Sequence, residues 1–573
     1  MPENAHMQVI LCWHMHQPEY RDLRNGSYQF PWTYLHALKD YVDMAAHLEA
    51  EPAARAVVNF APVLLDQIAD YASQLEAWMH RGAALGDPLL AALAEPPVPA
   101  NPDLRHALMK QCLRANEKRI IQRFPAYQKL AEMAAWIDSN PGSQLYVSDQ
   151  YLIDLVVWYH LGWMAETVRR GDQRVRALQD KAQGFTVHER RELLQVILEQ
   201  LQSVIPRFSR LAKQGRVELA MSPYAHPILP LLLDISAGQQ AQPDALRPAV
   251  DAYPGGRESA RWHLRHGREV FERHFGMRAG GCWPSEGALS TETLCLLAEE
   301  GFAWTASGES VLRNSIGAGS ELQRHGADAS CRHRVYRVAG QPIDCFFRDD
   351  GLSDLIGFEY SGWHAEDAVA NLVHHMENIA GSCPDCRNCA IVVILDGENA
   401  WEYYPENAYH FLSALYRELA AHATLELGTF SEFLERNRPQ PVQLPRLVAG
   451  SWVHGTLSTW IGSAEKNRGW EMLVDVKRCY DSVLAAGALD PEQLERARMQ
   501  LAVCEGSDWF WWFGDYNPAQ SVSDFERLYR QHLANLYHLL GVEPPAYLSE
   551  SFTHGNGAPQ RGGVMRIASD KPA

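Results

Sequence analysis

Five stretches of this sequence end in side chains that bind hydroxyls or move protons. They are His14, His16 and Gln17; Ser222, Tyr224 and His226; Trp283, Ser285 and Glu286; Arg348, Asp349, Asp350 and Asp354; and Asp396, Glu398 and Trp401. The set is rich in carboxylates, imidazoles and indoles. It lacks a Ser or Cys with a paired base, a Walker-type phosphate loop and a dinucleotide fingerprint. Sugar chemistry asks for this mixture: one carboxylate attacks or stabilises an oxocarbenium-like centre, and one carboxylic acid protonates the leaving oxygen. Glu286 and Asp396 are the best pair by position, since each follows an apolar run by a few residues and stands beside Trp and Gly rather than in a run of charges. Each residue also has a plain structural use. Asp349 or Asp396 suits a helix N-cap, His16 before Pro18 suits a turn, and Trp283 and Trp401 suit core packing. Their coincidence at one set of segment ends is what favours chemistry.

Those segments are short, apolar and rich in β-branched residues: Gln8–Trp13, Ala56–Phe60, Arg216–Met221, Gly280–Trp283, Phe302–Ala306, Pro342–Phe347, Ala390–Leu395 and Thr424–Leu427. Such runs read as buried parallel strands. Helical patterns lie between them, as at Ser259–Phe275 and Thr291–Glu300, so the fold class is α/β with βαβ units. A distorted (β/α)7 barrel puts its active site at the C-terminal strand ends, where the residues above stand. The catalytic barrel is expected over 1–437, with a helical insertion at about 69–213 broken by a Pro-rich stretch, Glu95–Pro102. Arg438–Pro445 reads as a linker, 446–550 as a C-terminal all-α domain, and 554–573, rich in Gly and polar residues, as a disordered tail.

Hydrophobic residues make up 46% and charged residues 21%, which excludes collagen-like, coiled-coil and wholly disordered chains. With 52 Lys+Arg against 70 Asp+Glu, the net charge of −18 argues against nucleic acid or an anionic membrane as partner. No apolar run is long enough to span a bilayer, and Met1–Pro18 shows no secretory signal. Eleven scattered cysteines suit reduced thiols, so a cytoplasmic protein is expected. The exception is Cys383-x-x-Cys386-x-x-Cys389, a zinc site only if a fourth ligand such as Cys331 or His333 comes near.

At this point the residues resemble glycoside hydrolase family 57. His16-Gln17-Pro18 resembles its first signature region, and Gly215–Leu219 with Glu218, running on through Tyr224 and His226, its second. Cys282-Trp-Pro-Ser-Glu286-Gly resembles the third, Asp396-Gly-Glu398-Asn-Ala-Trp401-Glu402 the fourth, and Ser451-Trp-Val-His454-Gly with Trp460-Ile-Gly462 the fifth. The resemblance implies a retaining hydrolase or transferase on α-1,4- and α-1,6-linked glucans, with Glu286 as nucleophile and Asp396 as general acid/base. Retention asks for carboxyls about 5 to 5.5 Å apart, inversion for roughly 6.5 to 9.5 Å. His16, His226 and His454 become hydrogen-bond donors to sugar hydroxyls, and Trp283, Trp401 and Trp460 stacking faces. His14, Gln17, Glu218, Tyr224, Arg348, Asp349, Asp354 and Glu398 join the binding set, Arg348 also holding one of the pair ionised. Phe347–Phe358 and Ser507–Asp515 look more like the amylopullulanase and α-amylase-like branch than the branching-enzyme branch.

Two rivals remain. His14-Met-His16 has the spacing of two zinc ligands, which suits a metal-dependent hydrolase such as a polysaccharide deacetylase, with His226 as a further ligand. That reading leaves Glu286 and Asp396 without a joint task. The other rival is a glucan-binding protein without turnover. Nothing in the sequence requires a cofactor or a metal.

Overall fold

A computed structural model describes residues 6–94, 101–140, 142–316, 332–338, 340–383 and 385–557. Seven of the apolar runs become β1 (Met7–Met15), β2 (Ala56–Phe60), β3 (Val217–Met221), β4 (Gly281–Cys282), β5 (Trp304–Gly308), β6 (Asp344–Arg348) and β7 (Ala390–Asp396). They lie in the order β7-β1-β2-β3-β4-β5-β6, and every ladder between them is parallel. Between β6 and β7 two hydrogen bonds replace the ladder. Asp349 N–H donates to Val392 O at 2.7 Å and an Arg348 Nη to Ile394 O at 3.0 Å. This is the expected distorted (β/α)7 barrel.

Side chains alternate across each strand, and the alternation sorts them into two cores. Ile10, Cys12, Val57, Ala220, Ala306, Phe346, Val392 and Ile394 fill the barrel together with Trp283, Trp304, Phe430 and Phe433. Their neighbours Val9, Leu11, Val58, Leu219, Phe347 and Val393 pack outward on the helices. One more inward step along β1, β2, β6 and β7 reaches His14, Asn59, Arg348 and Asp396 at the C-terminal mouth.

The eighth apolar run forms a short strand, Leu425–Leu427, that pairs with the start of β1. The expected linker contains a strand too: Val442–Leu444 pairs in parallel with Tyr336–Val338. Its apolar residues at 442 and 444 find a partner edge that local sequence does not show.

Helices from Pro62–Arg81 to Val187–Lys213 fill the connection between β2 and β3. The second of these starts on a capping box of Thr186 and Glu189, which satisfies two otherwise orphaned N–H groups. After the barrel come Ala464–Ala485, Pro491–Cys504, Asp508–Trp512 and Ala519–Leu539. His554–Gly557 are not loose as expected. Asn556 N–H donates to Asp515 O at 2.9 Å and Gly557 N–H to Asn517 O at 3.0 Å; the rest of the expected tail, 558–573, lies outside the described residues. No described helix is long and apolar enough to cross a membrane.

Candidate active site

A cavity of about 620 Å³ opens at the C-terminal mouth of the barrel. Eight of the expected site residues line it: His14, His16, Gln17, Glu286, Arg348, Asp354, Asp396 and Glu398. Glu286 is set there by backbone geometry. Past β4, Pro284 leads into one tight turn, Ser285–Gly287, with Glu286 at φ 58 and Gly287 at φ 59. A left-handed non-glycine residue costs of order 1–3 kcal/mol and persists only where its surroundings fix it. Here Trp452 fixes it twice, donating its N–H to Glu286 O at 3.1 Å and its Nε1–H to Glu286 Oε2 at 3.0 Å.

Trp452 links the two sides of the site. Its indole packs edge-on against Trp283, with ring centroids 5.2 Å apart, and the Arg348 guanidinium lies 5.0 Å from its ring centroid. Arg348 is buried and donates to Asp350 Oδ1 at 2.7 Å and to Asp354 Oδ1 at 3.2 Å. Burial works against its charge, but Asp350 and Asp354 outweigh it and keep the group protonated.

Asp396 is dressed differently. Burial raises its carboxyl above the ordinary aspartate range, opposed in part by a hydrogen bond from Asn399 Nδ2 at 2.8 Å and by His16 and Arg348. Glu398 is pushed well above its usual range, first by burial and then by Asp396. It accepts from the His16 N–H and from Gln17 Nε2, each at 3.2 Å.

The histidines form a stack. His16 and His226 have ring centroids 3.8 Å apart, and His14 and His226 5.1 Å. Burial, reinforced by His16, lowers the His14 pKa to about 3 despite a hydrogen bond to Asn59. Its Nδ1 lies 2.6 Å from Asn59 Oδ1 and its Nε2 has no protein partner. His16 Nε2 lies 2.9 Å from Asp508 Oδ1. The group of possible metal ligands among the described residues is therefore His16, His226 and Asp508, and His14 is not in it.

Several expected binding residues stand elsewhere. Glu218 lies at the opposite end of the barrel, accepting from Trp304 Nε1 at 2.6 Å and from Ser431 N–H at 2.9 Å. It sits four residues before Ser222, which at about 3.3 Å per residue is the far end of the strand. The Tyr224 hydroxyl turns to Asp66 at 3.3 Å. Asp349 caps the Asp350–Asp354 helix through Leu352 N–H at 2.8 Å. Trp283, Trp401 and Trp460 are fully buried and offer no open face, and their indoles serve packing instead. His226 lies behind His14 and His16, and His454, at φ 57, does not line the cavity.

Aromatic residues outside the expected set take over the walls: Trp32, Trp163, Tyr403, Trp452, Trp511 and Trp512. Trp452 falls within the quoted fifth signature, and Asp508, Trp511 and Trp512 within Ser507–Asp515, so the signal was present without its assignment. The cysteine motif does not recruit His333, whose Nε2 faces Asp349 Oδ2 at 3.6 Å. Cys331 lies outside the described residues.

The model of glycosyl hydrolase family 57 matches residues 10–445, and no curated protein matches the chain. Among solved structures, the GH57-type branching enzyme of Pyrococcus horikoshii is similar at 16% identity and TM-score 0.56, over 95% of this chain and 93% of that one. The α-amylase AmyC of Thermotoga maritima is similar at 12% identity and TM-score 0.56, over 94% of both chains. The 4-α-glucanotransferase of Thermococcus litoralis is similar at 15% identity and TM-score 0.51, over 94% of this chain and 61% of that one. At such identities these structures speak for the fold, whereas the family model spans most of the chain and includes Glu286 and Asp396. The chain belongs to glycosyl hydrolase family 57.

Proposed function

We propose that this protein is a retaining hydrolase of α-1,4-linked glucans, with α-1,6 linkages as further substrates, acting by double displacement. The observation that carries the reading is the unequal dressing of two carboxyls in one cavity. Glu286 accepts a hydrogen bond from Trp452, which suits an ionised nucleophile. Asp396 is buried with its acidity weakened, which suits an acid that keeps its proton at rest. Glu286 attacks the anomeric carbon while the Asp396 proton passes to the leaving oxygen, and the glycosidic bond breaks. Asp396, now a carboxylate, takes a proton from water as the water oxygen displaces Glu286, so the α configuration returns. The neutral His14, with Nε2 unpaired, supplies an acceptor for a sugar hydroxyl. The names of the similar structures, a branching enzyme, an α-amylase and a 4-α-glucanotransferase, support an α-glucan as substrate. The ten described cysteines are free thiols, which supports a reducing, cytoplasmic setting.

One observation favours transfer as a second reading. The wall of Trp32, Trp511 and Trp512, backed by the buried Trp163, shields a covalent intermediate from water and offers an acceptor sugar a face. Incubation with maltoheptaose and pullulan, resolved by product size and linkage, separates the two. Shorter products mean hydrolysis and longer ones transfer. Asp396→Asn lowers turnover by about 10²–10⁴-fold, Glu286→Gln abolishes it, and EDTA does not remove it. Turnover surviving both substitutions would place the chemistry on other residues.

A further inference from the structure

The histidine stack holds more nitrogen than sugar binding uses. We infer that His16, His226 and Asp508 form a binding site for a zinc-like divalent cation, and that an ion there excludes the glucan. One ligand atom from each residue lies within 4.8 Å of the others. His16 Nε2 is already 2.9 and 3.0 Å from the two Asp508 oxygens. His226 gives Nδ1 to Ser507 Oγ at 3.0 Å and keeps Nε2 with no hydrogen-bond partner, although the residue is 1% exposed. A buried imidazole nitrogen without a partner is costly, and a cation satisfies it. The Ser507 hydroxyl supplies the outer contact that orients a ligating imidazole.

Donor chemistry selects the ion. Two imidazoles and one carboxylate suit zinc and its d-block neighbours, whereas magnesium and calcium prefer oxygen ligands. The two imidazoles are stacked, with their planes 24° apart, so binding one ion turns the His226 ring until its in-plane nitrogen lone pair converges with that of His16. His16 and Asp508 line the cavity that Glu286 and Asp396 share, so an ion on them occupies sugar space. The site is thus inhibitory, and chelation relieves it rather than destroying activity.

The test titrates Zn²⁺ into EDTA-treated, chelator-free full-length protein by calorimetry. It uses a Cys383→Ser/Cys389→Ser background so that thiol-bound zinc is not counted. The expected result is one equivalent of Zn²⁺ per chain, weakened more than about 10-fold by Asp508→Asn and by His226→Ala, with no heat from Mg²⁺. Thermal melts of both variants check folding. Unchanged Zn²⁺ affinity in both folded variants overturns the site. The inhibitory arm rests on the glucan reading: Zn²⁺ raises the KM for maltoheptaose without lowering kcat, and EDTA restores it. A fall in kcat with KM unchanged overturns that exclusion. The calorimetric arm stands whether or not glucan is turned over, so the two readings fail separately.

Discussion

Trp452 and Asn399 act on the two carboxyls from outside, and each gives a sharp expectation. Trp452→Phe keeps a ring against Trp283 and under Arg348 but removes the Nε1–H that reaches Glu286 Oε2. A hydrogen bond to a charged group is worth about 1.5–3 kcal/mol, so kcat falls about 10- to 100-fold while KM moves little, as steady-state kinetics would show. Asn399→Ala removes the donor that favours ionised Asp396. Its pKa then rises further. Because Asp396 works as an acid in its protonated form, activity is lost as pH rises through that pKa, and the basic limb of the kcat/KM profile moves to higher pH. An unmoved limb would mean that another group carries the proton.

The wall of the cavity formed by Asp508–Trp512 depends on one buried cation. Lys466, in the first turn of Ala464–Ala485, donates to Phe510 O at 2.8 Å, to the Tyr516 hydroxyl at 2.6 Å and to Thr459 O. It ties three segments that share no secondary structure: the loop before its own helix, the short helix bearing the two cavity tryptophans, and the turn after it. Lys466→Met keeps the stem's packing and leaves those acceptors short of a donor. Each unsatisfied buried group costs about 1–3 kcal/mol, so with three acceptors involved urea unfolding should show a loss of at least about 3 kcal/mol. The KM for maltoheptaose should rise as Trp511 and Trp512 lose their seat. A variant as stable as the wild type would mean that the clamp is not what holds this wall.

Across the whole molecule, buried histidines couple stability to pH. Burial lowers His160 and His532 each to about 4, against an ordinary value near 6.5. Between those values the unfolded chain binds protons that the folded chain refuses, so stability falls as pH drops from about 6.5 to 4. Each full shift corresponds to about 3 kcal/mol. Asp87, raised to about 6 by burial, works the other way over about pH 4 to 6, since the folded chain then holds the extra proton. His14 and His333, each lowered to about 3, act with the two histidines, and Asp396 and Glu398, raised by burial, act with Asp87; the expected balance is a net loss on acidification. Urea midpoints at pH 7 and pH 5 measure it, and His532→Gln should flatten the slope whatever it does to stability at pH 7.

Much of this architecture is local in origin and so legible in the chain itself. Apolar runs of strand length followed by helical patterns specify parallel strands, and strand parity sends His14, Arg348 and Asp396 inward once the strands are placed. The position of Glu286 just past β4 follows from the same logic, and its motif resemblance agrees with the match over residues 10–445. The motif resemblance brought Glu218 into the binding set, yet residues 218 and 222 share a face and stand at opposite ends of the barrel, and Glu218 is at the end away from the cavity. What only the tertiary structure decided is which tryptophans meet the cavity. Trp283, Trp401 and Trp460 are buried in packing, while Trp32, Trp163, Trp452, Trp511 and Trp512 surround the opening. Trp452 stands 166 residues from Glu286, and Asp508 stands 492 from His16. Such contacts depend on how the C-terminal helices pack across the mouth. That packing is set by the sum of many weak apolar contacts, and no local period or spacing encodes it.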